Sequence, residues 1–202
     1  MNETASDGIM LALLAAGQSR RFGDEDKLTA LLHDRMLGFH AADTLTRLAF
    51  DHRIIITSDL DHPCATGWRQ MGYEIIVNDQ AAEGQATSVR CAAQLAAERR
   101  VGALYICLAD MPYIKRQHIR NLSQAFENRD RKAIVGSGDD DKIMPPAIFP
   151  SSQFSALQNL GGDQGARKLL QTAHLVSAPE GSLLDIDTPE ILAIENREEI
   201  RR

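Results

Sequence analysis

Positive charge is in short supply in this chain: 22 Lys and Arg stand against 28 Asp and Glu in 202 residues, a net charge of −6. Nonspecific nucleic-acid binding draws its affinity from a basic face that displaces phosphate counterions, so the balance disfavours that class of partner. Cysteine is scarce as well. Cys64, Cys91 and Cys107 are an odd number without a Cys-x-x-Cys pair, which speaks against a disulfide framework and a zinc knuckle and fits a reducing compartment. The six histidines form no pair at ligand spacing, so His40 and His118 read as helix-face residues rather than metal ligands. No apolar run approaches the ~18 residues of a membrane span, and residues 1–7 carry no basic region ahead of one, so a soluble cytoplasmic protein is expected, with no membrane partner.

Two familiar phosphate loops are missing too. A Walker loop places four residues between its glycines and then Lys-Ser/Thr, whereas five residues separate Gly17 from Gly23 here and Asp24 follows. The Gly-x-Gly-x-x-Gly dinucleotide fingerprint is also lacking, which argues against an ordinary nicotinamide or flavin site.

What stands in their place is a third kind of loop. Residues 9–14 are a continuous apolar run, the pattern of a strand buried on both faces. Ala15, Ala16 and Gly17 then keep side chains small, so that backbone N–H groups can converge on an anion. Arg20, Arg21 and Lys27 follow within eight positions, and a local anion is their natural partner.

The remainder alternates strand and helix. Helices are expected over 36–50, around Trp68 and Met71, from the 78–90 loop to about Arg100, over 115–126 and through 161–172, with strands at 53–57, 73–77, 103–108, 132–136, 144–149 and, briefly, 183–188. With 44% hydrophobic residues and no low-complexity tract, residues 1–202 fit one domain with a substantial core, frayed over 1–7 and 195–202. Four polar clusters stand out. Gly84 can bring backbone close to a base, beside Gln85, Thr87 and Ser88 at a helix N-terminus, although a plain cap explains them too. Asp110 ends a buried strand ahead of Pro112, where a hard cation would keep it ionised, or where it would cap the 115–126 helix. Asp163 stands where it would cap a helix. Asp185 and Asp187 share one face of an extended segment and could address one ion, with capping by Asp187 or Thr188 as the alternative. Asp139, Asp140 and Asp141 read instead as a solvated hairpin turn, since consecutive carboxylates cannot all converge on one ion.

Leu-Ala-Ala-Gly-x-Ser-Arg-Arg-Phe-Gly with Lys27, then Glu83-Gly84, Leu-Ala-Asp-Met-Pro around Asp110, Gly-Asp-x-Gly-Ala-Arg over 162–167 and Asp-Ile-Asp-Thr-Pro-Glu over 185–190 together resemble the MobA-like NTP transferases, and within them the molybdenum cofactor cytidylyltransferases. The resemblance implies a single three-layer α/β/α Rossmann-like domain with a mostly parallel mixed sheet and one antiparallel excursion near Ile148. It implies transfer of CMP from CTP to the terminal phosphate of molybdopterin with release of pyrophosphate. Leu14, Ala15, Ala16, Gly17 and Ser19 would hold the nucleotide phosphates; Arg20, Arg21 and Lys27 would neutralise them. Glu83, Gly84, Ser88 and Arg90 would meet base and ribose, Asp163 and Arg167 would face the acceptor, and Asp110 with Asp187 would bind Mg²⁺, or Mn²⁺ in its stead. A molybdoenzyme or its insertion chaperone is the protein partner so implied. Met144-Pro145 stands where the family usually has a Gly-His-Pro start, which leaves recognition of the acceptor open. So do three other readings: guanylyl transfer to the same acceptor, transfer to another phosphate, and non-catalytic delivery of the cofactor.

Overall fold

The computed structural model describes residues 8–199 apart from 18, 20, 24–25, 139–141 and 162–165. Its frame is a seven-stranded sheet built from β1 (Ile9–Leu14), β4 (His52–Thr57), β5 (Glu74–Val77), β6 (Ala103–Leu108), β7 (Val135–Gly138), β8 (Ile143–Pro150) and β9 (His174–Ser177). The order is β5-β4-β1-β6-β8-β7-β9, with β1 central between parallel β4 and β6. Only β8 runs against the rest, pairing antiparallel with both β6 and β7. The α/β architecture with a mostly parallel mixed sheet is therefore the observed one.

The apolar runs are continuous because both faces of the sheet are covered. Leu11 and Leu13 enter one core with Ile55, Tyr105, Trp68, Leu122 and Phe126; Met10, Ala12 and Leu14 enter the other with Ile54, Ile106, Val89, Ala96 and Phe154. Successive side chains of a strand point to opposite faces, so each strand feeds two cores at once. The first core is closed by α1 (His40–Thr46), α2 (Ala65–Gln70) and α4 (Arg116–Glu127), the second by α3 (Gln85–Glu98), α5 (Phe154–Gln158) and α6 (Arg167–Leu170). A final helix, α7, spans Pro189–Glu199. Among the described residues no helix is long and apolar enough to cross a membrane.

Several boundaries differ from the sequence expectation. The helix expected over 36–50 is preceded by a small hairpin, β2 (Leu31–Leu32) with β3 (Arg35–Met36), and a 3-10 turn at Leu37–Phe39, and its α-helical part is α1 alone. His33 and Asp34 form the hairpin's two-residue turn, both with positive φ (50° and 59°), the arrangement that glycine or asparagine usually signals. The strand expected over 132–136 lies at Val135–Gly138, and the helix expected over 161–172 is four residues long, Arg167–Leu170, with 162–165 outside the described residues. The acidic turn at 139–141 also lies outside them. No strand forms over 183–188. That segment is held by the Ile186 N–H donating to the Asp110 carbonyl at 2.9 Å, and the last strand is instead β9, parallel to β7.

Candidate active site

Parallel strands β1, β4, β5 and β6 all end on the same edge of the sheet, and the loops leaving them define a cleft, as expected where open α/β sheets bind ligands. The cleft has a volume of about 1060 Å³. Its floor is the exit of β1, locked between its neighbours: Ala15 N–H donates to the Ile56 carbonyl at 2.7 Å and Ala109 N–H to the Leu14 carbonyl at 3.0 Å. Leu14, Ala15, Ala16 and Gly17 line it, and among the described residues, chain neighbours aside, no atom lies within 4 Å of where a Cβ on Gly17 would stand.

Lys27 enters this cleft from a 3-10 turn, Lys27–Thr29, capped by Asp26. Its ammonium donates to Asp187 Oδ1 at 2.8 Å and to Asp110 Oδ2 in a still closer contact. The two carboxylates, one from the end of β6 and one from the turn before α7, thus share a single nitrogen. Their surroundings differ. Side-chain exposure is 16% at Asp110 and 30% at Asp187, where Arg21 adds a second cation at 3.0 Å. Burial opposes charge on both, but at Asp187 the bonds from Lys27 and Arg21 outweigh it and hold the carboxyl below its usual range. At Asp110 burial prevails over the same ammonium, helped by the nearby charges of Asp187 and Asp185, and its pKa is pushed above the usual carboxylate range. Burial likewise works against charge on Lys27, and the two carboxylates reverse it, holding the ammonium above its ordinary value. Asp110 Oδ1 is buried without a hydrogen-bond partner among the described residues.

The other residues singled out in the sequence distribute as follows. Gly84, Ser88, Arg167 and Asp185 line the cleft; Ser88 Oγ accepts from Asn78 Nδ2 at 3.0 Å, and Asn78 also donates to Thr87 Oγ1, which ties the β5 exit to the start of α3. Ser19, Arg21 and Glu83 are not among the lining residues. Ser19 turns inward to its own loop, accepting from Lys27 N–H at 3.2 Å, and Arg21 is 71% exposed at the rim. Arg90 reaches the Leu160 carbonyl and Gln80 Oε1, away from the cleft. Arg20 and Asp163 lie outside the described residues. Sequence reasoning did not single out Lys142, Gln171 or Leu175, which also line the cleft. A cation directly after three aspartates was the only local hint of Lys142.

Among the described residues no three His, Cys, Asp or Glu side chains converge as a closed metal cage. Two carboxylates, one with a buried oxygen lacking a partner, form an open half-site of hard oxygen ligands that suits a Mg²⁺-like ion whose remaining ligands come from water and substrate phosphate.

The MobA-like NTP transferase domain matches residues 11–178. Purine catabolism protein PucB of Bacillus subtilis is 30% identical over 192 residues, covering 88% of this chain and 90% of the relative. A probable molybdenum cofactor guanylyltransferase of Pyrococcus horikoshii is 30% identical over 146 residues, covering 72% and 71%. Among solved structures, Rv0371c from Mycobacterium tuberculosis superposes with a TM-score of 0.74 at 22% identity, covering 98% of this chain and all of that one. Its complex with manganese superposes with a TM-score of 0.69 at 19% identity, covering 94% and 98%.

Proposed function

From the fact that this chain belongs to the MobA-like NTP transferase family, and so to the nucleotidyltransferases, we propose that it transfers CMP from CTP to the terminal phosphate of molybdopterin. A phosphate oxygen of the acceptor forms a new bond to the α-phosphorus as the bond from that phosphorus to the bridging β-phosphate oxygen breaks. Pyrophosphate leaves, and a cytosine dinucleotide form of the cofactor remains. The observation that carries this reading is Lys27, held between Asp110 and Asp187 above the small-residue turn of Leu14 to Gly17.

The acceptor oxygen is already anionic, so no general base is required and catalysis rests on alignment and charge. Backbone N–H groups of the β1 exit face the triphosphate. Lys27, with Arg21 at the rim and Arg20, neutralises charge gathering on the leaving pyrophosphate. Asp110 and Asp187 would hold Mg²⁺, or Mn²⁺, the unpartnered Oδ1 of Asp110 being free to ligate it; when bound, such an ion polarises the phosphoryl oxygens and offsets their charge. In this reading Gly84 and Ser88 would meet base and ribose and Arg167 the acceptor; all three line the cleft, as do Met144 and Pro145.

Guanylyl transfer is the second reading, favoured by the name of the Pyrococcus relative. Incubation with molybdopterin, Mg²⁺ and each nucleoside triphosphate, read by pyrophosphate release and mass spectrometry, separates the two. The expected product is the cytosine dinucleotide. A guanine dinucleotide reverses the base assignment, and pyrophosphate release only with other phosphate acceptors removes molybdopterin. Saturable nucleotide binding with no release under any combination points to a delivery protein instead.

A further inference from the structure

His62 takes no part in the cleft, yet it ends a hydrogen-bonded chain that leads to Lys27. Its side chain is buried in the loop between β4 and α2 and stacks on the fully buried Trp68 ring, 4.8 Å between centroids and 22° between planes. Trp68 is itself pinned by its indole N–H to the Gly38 carbonyl at 2.8 Å. The ring therefore has a rigid backing and little freedom to turn.

Its two nitrogens are assigned by their partners. Cys64 N–H meets Nδ1 at 3.0 Å, and since a backbone amide only donates, Nδ1 is the acceptor and the imidazole is the neutral form carrying its proton on Nε2. That proton faces Asp26 Oδ2 at 2.9 Å. The other oxygen of Asp26 accepts from Leu28 N–H at 2.9 Å and faces Ser19 Oγ at 3.4 Å, and Ser19 Oγ in turn accepts from Lys27 N–H at 3.2 Å. Burial disfavours charge on Asp26, but the bonds from His62 and Leu28 overcome it and keep the carboxyl ionised below its usual range. Ser19 sits at φ +48°, a conformation a serine adopts only when its surroundings impose it.

We propose that His62 is a positioning residue for the phosphate loop: by donating from Nε2 to Asp26 it fixes the turn that aims the Lys27 ammonium at the triphosphate site. The loop leaving β4 thereby braces the loop leaving β1. A carboxylate with one oxygen committed to the Leu28 cap has a second oxygen that must be held, or the carboxylate rotates and the turn with it. This rests on the reading of Lys27 as a triphosphate ligand, but requires neither molybdopterin nor a choice of base.

Two measurements on the full chain test it. Long-range proton–nitrogen NMR of the wild-type protein at neutral pH should show His62 with a protonated Nε2 and a bare Nδ1; the opposite tautomer overturns the proposal. The second is the affinity for CTP and for GTP, each with Mg²⁺, of His62→Phe, which keeps the stacking but cannot donate, and His62→Gln, whose amide N–H reaches the place of Nε2. Both variants remove the acceptor for Cys64 N–H and only His62→Phe keeps the stacking on Trp68, so tighter binding by His62→Gln than by His62→Phe reports the bond to Asp26. His62→Phe should weaken binding about tenfold, and His62→Gln should stay within about threefold of wild type. On a Lys27→Met background, His62→Phe should cause no further loss. Equal losses for Phe and Gln, or an undiminished loss on the Lys27→Met background, overturn the positioning role. If His62→Phe does not fold, His62→Gln and the NMR measurement decide, loss of binding in His62→Gln overturning it. Wild-type protein that binds neither nucleotide overturns the reading of Lys27 together with this inference, whereas failure of molybdopterin transfer alone touches neither.

Discussion

Lys27 and Asp187 meet at 2.8 Å although 160 residues separate them. The contact joins the first crossover of the fold to its last turn, and Asp110, from the middle strand of the sheet, meets the same ammonium. Three remote segments thus converge on one charge centre, at the sheet edge where four parallel strands end.

That convergence gives Lys27 a structural role beside the chemical one proposed above. Among the described residues, Lys27→Met would leave Asp110 buried and unpaired and Asp187 with exposed Arg21. Breaking a buried pair by deleting one partner costs about 3 kcal/mol, so the variant should unfold at clearly lower urea. Pyrophosphate release should fall roughly a hundredfold or more, as for loss of one transition-state contact. A variant of unchanged stability would show that the pair is not formed in solution.

The pH dependence of that stability has two limbs. Lys27 is raised on folding above its usual 10.5, so its contribution is complete below that pH and is lost as pH climbs through the higher folded value. Asp187 is lowered below its usual 3.8, so its share is complete above that pH and is lost as pH falls through the lower folded value. Asp110, raised by burial, works the other way, its ionised form costing stability as pH rises through its folded value. The wild-type advantage over Lys27→Met should therefore hold across neutral pH and shrink as pH falls through the folded value of Asp187 or climbs through that of Lys27. Denaturation midpoints across pH check this, and an advantage independent of pH would remove the ion pair as its source.

Much of this centre was legible because chemistry dictates residue type: small residues after a buried strand, clustered cations, a carboxylate where a strand meets solvent. Ser19 shows where that logic stopped. Its place in the loop suggested a nucleotide contact, whereas its Oγ is engaged by Lys27 N–H and faces Asp26. The β2–β3 hairpin was hidden because His33 and Asp34 carry no turn signature, and β9 because a four-residue, half-buried edge strand leaves almost no periodic signal. Lys142 and Gln171 reach the cleft only through the hairpin return of β8 and the packing of α6, relationships that local sequence does not encode. Asp185 and Asp187 were placed on one face by assuming a strand. Both line the cleft without one.

Asp110→Ala separates metal use from folding. The substitution removes a carboxylate that burial already disfavours and leaves Lys27 its bond to Asp187, so thermal stability should stay close to wild type. Turnover should fall by about 3 kcal/mol of transition-state stabilisation, roughly a hundredfold. Chelation should abolish turnover in wild type, with Mg²⁺ or Mn²⁺ restoring it. Near-normal turnover in a folded Asp110→Ala protein would take Asp110 out of the metal site.

Gly138→Ala tests the wall formed by β7 and β8. A Cβ there would stand 1.9 Å from the Lys142 carbonyl oxygen and 3.0 Å from its carbon. Both are backbone atoms, so relief requires the hairpin to part, shifting Lys142, Ile143 and Met144 of the cleft. A cost of about 2 kcal/mol is expected, read as a lower thermal midpoint, together with a raised KM for the acceptor and little change for the nucleotide. An equal rise in both would mean that this wall serves the whole cleft.

Ala16→Gly tests the proposed choice of CTP. Ala16, in the Leu14-Ala15-Ala16-Gly17 turn, lines the cleft at the β1 exit. One methyl group narrows the space for a bound base, which weighs more heavily against a two-ring purine than against a pyrimidine. A methyl in a tight pocket is worth about tenfold in selectivity. Ala16→Gly should therefore move the ratio of kcat/KM for CTP over GTP about tenfold toward GTP, chiefly by improving GTP, since the cytosine complex gains nothing from added room. A competition assay with both nucleotides reads the ratio directly. If the ratio stays fixed while both activities fall, Ala16 serves only to shape the backbone, and base choice has to be sought on the opposite wall, at Gly84, Gln85 and Ser88.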